Sequence, residues 1–468
     1  MRKELIDVTW EQGYNVGEPS TTLGSGEAEK IQNWYPARSG LRARRGWVSG
    51  TTTVVSGTFP TTRQGRGIWV GPSTIHAVHA NDSASYEVWT HALGDLDTGS
   101  WTPHASNPFT SSDTTYPVVF ATNVSGGVSI ESGGSTAFTG GARKFRTNAF
   151  HNALYFQGGC VSEGGSYLKE QVFDGTNYIA VGYEDGYPVL DMTTYRGALA
   201  IGKGNGVWLL SGSGVNSYSL KPIDGDARAS LGRSMCSTPT GLYIVGSDAV
   251  WNYQNQVTRI SGPLEGTFAV PSDGFVHTAY QNGLLHIAVS DGTYYVFNTA
   301  TGAWSTEAAG TLAEGPNSVH SRGDKYLYAT AKGATTNSLG LYRKLSTLVP
   351  ARDAAMGEVF WAKTPLMFLG DGKSRIETRT VYIQLRQHGT ASSQPPLEIS
   401  VYNDKGTVLQ HQTEEMATEV PSVRRIRVDF GAEVEAFQLE LKQTLGSTHT
   451  TICEPEKIQA VVNITERR

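Results

Sequence analysis

One hydrophobic motif recurs along the middle of the chain: a turn followed by Leu, any residue and a second apolar residue. The motif repeats every 42–45 residues, and its leucines are Leu154, Leu199, Leu242, Leu285 and Leu327. A period of ~40–45 residues in strand-rich sequence is the length of one four-stranded propeller blade. The region 61–350 is therefore predicted to be an irregular β-propeller of about six blades, with an uncertainty of one.

The pattern changes from about residue 351 onward, where longer strictly alternating runs replace the repeat. Val381, Ile383 and Leu385 alternate with polar residues, and further runs read VRRIRVDF, FQLELKQT and IQAVVNIT. Such alternation is typical of half-buried strands, because successive side chains point to opposite faces. We predict an all-β chain with three parts: an N-terminal arm or interface segment (1–60), the propeller (61–350) and a β-sandwich (351–468).

Composition agrees with many short strands joined by tight turns. Glycine accounts for 54 of 468 residues, and only 17% of residues are charged, against typical values of about 7% and 25%. The formal net charge of -5 does not favour a bulk nucleic-acid-binding surface. The three widely spaced cysteines form no recognisable framework, and no apolar run is long enough for a membrane span or a signal peptide. These features predict assembly in a reducing cytoplasm.

The sequence contains no recognisable catalytic or cofactor motif. It lacks a P-loop, the GxSxG and HExxH patterns and an EF-hand loop. His76 and His79 lie three apart in a strand-like stretch and would face opposite sides, which disfavours a shared metal. Most aspartates of the propeller region precede glycines, where turn formation explains them. We therefore expect no catalytic residues, no metal and no cofactor.

A basic cluster stands out in the N-terminal segment, formed by Arg38, Arg42, Arg44 and Arg45. One interpretation is contact with phosphates or with an acidic partner. The other is a solvated loop or a loop that pairs with a neighbouring subunit. The second is favoured because the chain is acidic overall, and the four arginines are the candidate interface residues.

The segment that contains this cluster resembles a known family. Residues 33–48, NWYPARSGLRARRGWV, are similar to the early motif of the tail hub or nozzle (packaged-DNA stabilisation) proteins of short-tailed bacteriophages. The matching residues are Asn33, Pro36, Gly40, Leu41, Arg42, Arg44 and Gly46. An irregular propeller of suitable length and a final sandwich with an arginine-rich strand extend the resemblance to the architecture of the whole chain.

The resemblance implies a structural virion protein rather than an enzyme. Six copies would form a ring that continues the DNA channel below the portal and the adaptor. The ring would anchor tail fibres, spikes or a needle, and genomic DNA would pass through its lumen without specific binding. Two alternatives stay open: a carbohydrate-binding or glycan-degrading propeller, and a cytoplasmic propeller scaffold.

Overall fold

The computed structural model consists almost entirely of β-strands. It describes residues 2–18, 23, 27–37, 40–44, 47–49, 64–70, 74–80, 85–92, 101–103, 109–110, 118–122, 128–132, 145–160, 168–182, 184–214, 217–272, 274–307, 316–322, 326–331, 341–344, 358–368, 374–389, 396–415, 422–431, 434, 436–445 and 451–466. In these ranges the helical elements are two 3-10 turns, Leu168–Glu170 and Gly262–Leu264, and neither is long enough to cross a membrane.

The middle of the described chain forms seven consecutive antiparallel sheets, which we number as blades 1 to 7. Blades 1 to 3 consist of Gln64–Val70, Thr74–Ala80, Ser85–Ala92, Thr102–Pro103 and Phe109–Thr110; Val118–Thr122 and Val128–Ser132; and Phe145–His151, Leu154–Cys160, Gln171–Phe173 and Tyr178–Ala180. Blades 4 and 5 consist of Val189–Tyr195, Ala198–Lys203, Gly206–Ser211 and Ser219–Pro222; and Met235–Thr238, Gly241–Val245, Val250–Tyr253 and Val257–Arg259. Blades 6 and 7 consist of Val276–Gln281, Leu284–Val289, Tyr294–Asn298 and Ala303–Thr306; and Pro316–Arg322, Tyr326–Ala331, Leu341–Lys344 and Trp47–Ser49.

The blades stand around a common axis. From blade 2 to blade 7 the first strand of each blade packs against the first strand of the next, and the first strand of blade 7 packs against that of blade 1. The short strand Gly232–Arg233 lies ahead of blade 5 and pairs in parallel with the first strand of blade 6. The predicted propeller is confirmed, and seven described blades agree with the predicted six within its uncertainty of one.

The repeated leucines occupy equivalent places, which explains the period of the motif. Leu199, Leu242, Leu285 and Leu327 are each the second residue of a second strand, and each is fully buried. Each stands opposite the penultimate residue of its blade's first strand: Thr194, Ser237, Tyr280 and Ser321. In blade 3 the equivalent position is Tyr155, opposite Phe150, so Leu154 is displaced by one residue.

The C-terminal part is a β-sandwich, as predicted. Its first sheet contains Arg2–Val8, Thr451–Glu466, Ser374–Gly389 and Ser422–Phe430, in that order. Its second sheet contains Lys30–Gln32, Glu358–Lys363, Ala436–Leu445, Leu397–Asn403 and Val408–Glu414, with Met367–Phe368 beside Ala436–Leu445. Val381, Ile383 and Leu385 of the first sheet share one buried core with Phe437 and Leu439 of the second, so the predicted alternation marks the inner faces.

The described N-terminal residues are distributed over both domains. Arg2–Val8 forms an edge of the first sandwich sheet, whereas Trp47–Ser49 supplies the fourth strand of blade 7. Gly13–Tyr14 pairs in parallel with Glu27–Ala28 and reaches Trp304 of blade 6. The chain therefore crosses from sandwich to propeller within its first 49 residues, and the last blade is closed by a strand that precedes the first blade.

Candidate functional site

The described residues of the segment that resembles the phage family lie where the propeller meets the sandwich. Lys30–Gln32 pairs on one side with Glu358–Lys363 of the sandwich and on the other, through Gln32 and Thr306, with blade 6. A continuous sheet therefore runs from the outer strand of blade 6 into the sandwich. Directly after this strand, Trp34–Ala37 and Gly40–Ala43 form an antiparallel hairpin. We call residues 30–44 the joint.

Asn33 is the centre of the joint. It is fully buried and has a φ of 62°, which asparagine tolerates better than most residues. Its backbone N–H donates to Thr306 O of blade 6 at 2.9 Å, and its side-chain Nδ2 donates to Val359 O of the sandwich at 2.9 Å. One residue thus binds both domains at once.

Arg44, at the other end of the hairpin, binds Asn33 through both its side chain and its backbone. Its Nε donates to Asn33 Oδ1 at 2.8 Å and its backbone N–H donates to Asn33 O at 2.9 Å. The Arg44 side chain is fully buried, and its positive charge acts on the neighbouring Tyr294 of blade 6. Burial is the larger influence on Tyr294 and raises the pKa of its hydroxyl well above the ordinary value.

Arg42 points to the other side of the hairpin, towards the sandwich. Its Nη1 lies 2.8 Å from Glu454 Oε2, and the backbone N–H of Ala43 donates to Glu454 Oε1 at 2.9 Å. The Glu454 side chain is fully buried, whereas 38% of the Arg42 side chain is exposed. A buried carboxylate needs such partners, because removing a charge from water without compensation is costly.

Three further contacts complete the joint, and each uses a residue of the hairpin. Trp34 Nε1 donates to Cys453 O at 2.9 Å, and Pro36 O accepts from Asn298 Nδ2 of blade 6 at 3.1 Å. Gly40 has a φ of +105°, and a Cβ there would lie 2.3 Å from Pro455 O. Only glycine allows the hairpin to approach the last sandwich strand this closely.

The four candidate interface arginines have different surroundings. Arg44 lies in the interior, and Arg42 borders a cleft of about 490 Å³ that also contains Asp7, Gln384, Arg386, Glu456 and Lys457. Arg38 and Arg45 lie outside the described residues. Contact of Arg42 with another subunit stays a prediction. Sequence reasoning missed Glu454, which has no local motif to mark it.

Within the described ranges, no group of three or more His, Cys, Asp or Glu side chains is arranged to hold a metal ion. His76 is buried in the second strand of blade 1, with its ring 5.3 Å from that of Trp69. Its position is consistent with packing inside a blade.

Comparisons with known proteins give only distant likenesses. No protein-family model matches the chain, and no curated protein matches it. Among solved structures, the chain is similar to the β-propeller domain of Swd1 from Myceliophteria thermophila, with 11% identity over 64% of this chain and 99% of that one and a TM-score of 0.37. YCF48 from Cyanidioschyzon merolae is 13% identical over 64% and 98%, with a TM-score of 0.35. An exo-β-1,3-galactanase from Phanerochaete chrysosporium is 10% identical over 90% and 100%, with a TM-score of 0.27. At such scores these likenesses carry no functional argument.

Proposed function

We propose that the chain is a structural subunit of the tail of a short-tailed bacteriophage, in the hub or nozzle ring. Six copies form a ring that continues the DNA channel below the portal and adaptor proteins. The ring anchors fibres, spikes or a needle, and the protein has a mechanical rather than a catalytic role. It is assembled in the host cytoplasm and resides in the virion tail.

One observation supports this proposal most directly. The described residues that carry the resemblance to the hub family are also the residues that build the joint: Asn33, Pro36, Gly40, Arg42 and Arg44. A motif whose residues join a propeller to a sandwich indicates a structural role rather than a catalytic one. A rigid two-domain block is suitable for a ring that transmits load between the adaptor and the tail appendages.

The cleft beside Arg42 is the surface that we assign to a neighbouring subunit or to the adaptor. Its charges are of both signs, with Arg386 Nη2 2.6 Å from Glu456 Oε1 and Lys457 Nζ 3.9 Å from Asp7 Oδ1. Lys457 and Asp7 are both about half-exposed, and an ion pair between exposed side chains contributes little to stability. They are therefore available to exchange partners when a second protein approaches.

Two measurements test the proposal. Mass photometry of the purified protein, alone and with its adaptor, should detect a closed ring of six 50.4 kDa chains, about 300 kDa. Immunogold labelling with antibodies raised against the recombinant chain should mark virion tails. Unlabelled virions that are shown to encode the chain would contradict the proposal.

DNA binding provides a second test of the conduit. Each Lys or Arg bound to phosphate adds salt-dependent affinity, so a ring with many such contacts would hold the genome. We expect duplex DNA to bind the assembled ring more weakly than micromolar near physiological salt. A submicromolar dissociation constant in an anisotropy titration would contradict a conduit through which DNA slides.

A further inference from the structure

The first strands of the blades enclose a cavity along the propeller axis. Its volume is about 450 Å³, and the first strands of six blades and the adjacent Gly232–Arg233 line it. Cavities of ~300–1,000 Å³ with a few convergent polar groups are typical of small-ligand sites. The cavity lies apart from the joint and uses none of its residues.

One position of the blade repeat forms a ring around this cavity. It is the penultimate residue of a blade's first strand, and six of these residues line the cavity: Trp69, Phe150, Thr194, Ser237, Tyr280 and Ser321. Three of the six are aromatic, and the other three are serine or threonine. Phe150 and Tyr280 are half-buried, whereas Thr194 and Ser237 are exposed, so a ligand can reach them.

Two opposite charges lie deeper in the same cavity. Arg233 reaches from the strand before blade 5 to blade 1, where its Nη1 donates to Ile68 O at 3.3 Å. Asp191 of blade 4 accepts the backbone N–H groups of Met192 at 2.8 Å and Met235 at 2.7 Å, and only 3% of it is exposed. Burial raises the pKa of Asp191 to about 7, and the Arg233 charge opposes this rise. A ligand that carries a full charge would be repelled by one of the two.

The cavity wall also contains buried polar atoms with unused hydrogen-bonding capacity. Asn148 Nδ2 and His320 Nδ1 have no hydrogen-bond partner among the described residues. Burial and the Arg233 charge hold the pKa of His320 well below its ordinary value, so its ring is neutral at physiological pH. Buried polar atoms are normally paired, and unpaired ones in a cavity wall indicate a place where a ligand supplies the partner.

We propose that the propeller channel binds the terminal sugar of a neutral glycan. Sugar hydroxyl groups both donate and accept hydrogen bonds. They can therefore accept from the N–H groups of Arg233 and Asn148 and form a hydrogen bond with the hydroxyl of Thr278. The apolar face of the sugar ring stacks on Phe150 or Tyr280. Because Arg233 repels a cation and the buried, partly ionised Asp191 disfavours an anion, the site favours an uncharged polyhydroxylated ligand. This inference stands independently of the assembly proposed above.

Ligand-detected NMR tests the proposal with the full chain. Saturation-transfer spectra are recorded with the methyl glycosides of glucose, galactose, mannose and N-acetylglucosamine, and dissociation constants are then measured by titration. We expect at least one glycoside to bind in the millimolar range. If none receives saturation, the proposal is wrong.

Variants locate the binding site. Tyr280→Ala should weaken binding about fivefold or more, since loss of one stacking ring typically has an effect of this size. Phe150→Ala provides a second variant should Tyr280→Ala fail to fold. The matched control is Tyr187→Ala, because Tyr187 is 48% exposed and does not line the channel. It should bind as the wild type does.

Two outcomes would overturn the inference even if a glycoside binds. Unchanged affinity in folded Tyr280→Ala and Phe150→Ala would place the sugar elsewhere on the molecule. Tighter binding of methyl glucuronide than of every neutral glycoside would show that Arg233 dominates the site and that the ligand is anionic.

Discussion

The joint and the channel are both built from buried polar side chains, but they use them in opposite ways. In the joint, Asn33 binds Thr306 of the propeller and Val359 of the sandwich, and Glu454 is held by Arg42 and a backbone N–H. In the channel, buried atoms of Asn148 and His320 have no partner among the described residues. A saturated network rigidifies a structure, whereas an unsaturated one loses stability unless something else supplies the bonds. This contrast suggests that the joint serves assembly and that the channel serves binding.

The largest expected effect tests the close approach in the joint. Gly40→Ala forces a left-handed backbone on alanine and drives its Cβ into Pro455 O and Glu456 O, which are backbone atoms that cannot turn away. We expect the free energy of unfolding to fall by about 5 kcal/mol, as strain and overpacking add. Urea denaturation followed by tryptophan fluorescence measures this loss.

Gly186→Ala is the matched control for this substitution. Gly186 also has a positive φ, +77°, but a Cβ there meets nothing within 4 Å. It should therefore cost only the backbone term of about 1–2 kcal/mol. Equal losses at the two positions would show that the hairpin can move away from the last sandwich strand.

The second prediction concerns the pH dependence of stability that the Asp191 carboxyl group introduces. Burial raises the folded-state pKa of Asp191 from its ordinary value of 3.8 to about 7. The folded chain therefore binds the proton more tightly than the unfolded chain does. The stability that this proton contributes is fully present below about pH 4 and is lost as the pH rises through about 7. The loss is on the order of 4 kcal/mol.

Asp191→Asn removes this titration while the other channel groups stay in place. The difference in unfolding free energy between variant and wild type should move in favour of the variant by about 4 kcal/mol between pH 4 and pH 8. His277 and His320, whose pKa values burial lowers, titrate in both proteins and cancel in the difference. A difference that does not change with pH would contradict the raised pKa of Asp191.

The sequence predicts the fold well because the relevant signals are local. The leucine of each blade follows its turn directly, so a period of 42–45 residues is visible without any knowledge of the pairing. The alternation in Val381, Ile383 and Leu385 likewise reflects the geometry of one strand. Blade 7 is closed by Trp47–Ser49, which lies far in sequence from the rest of that blade. No pattern in those three residues indicates this pairing.

Both candidate sites depend on contacts that the sequence does not display. Arg42 and Glu454 are 412 positions apart, and their pairing exists only because the first and last parts of the chain meet in the sandwich. The channel ring had a signal that alignment of the repeats would have found. Phe150 and Tyr280 occupy the same place relative to the turn in their blades, and each follows an alanine and lies two residues before an asparagine.

The third prediction measures the ion pair of the joint. Arg42→Ala removes the charged partner of the fully buried Glu454 carboxylate, which keeps its bond from the Ala43 N–H. Breaking a buried pair typically costs 3–5 kcal/mol, and the partial exposure of Arg42 reduces this to about 2 kcal/mol. Arg425→Ala is the control, since Arg425 is exposed and stacks on Tyr382 at 4.1 Å. It should cost about 0.5 kcal/mol. A similar loss of stability in both variants would show that the Arg42–Glu454 ion pair does not stabilise the joint.

The smallest expected effect on stability separates the two regions most sharply. Asn148→Leu replaces a channel amide, whose Nδ2 has no described partner, by an apolar side chain of similar shape. No hydrogen bond from Asn148 Nδ2 to another described residue is lost, so the free energy of unfolding should change by less than about 1 kcal/mol. The same replacement at Asn33 removes the bonds to Val359 and Arg44 and should cost several times more.

The two variants are compared by urea denaturation, and their binding of methyl glycosides is measured in parallel. If Asn148 contacts the sugar, its variant stays stable but binds more weakly. A large loss of stability in Asn148→Leu would instead make the channel a second structural network, equivalent to the joint.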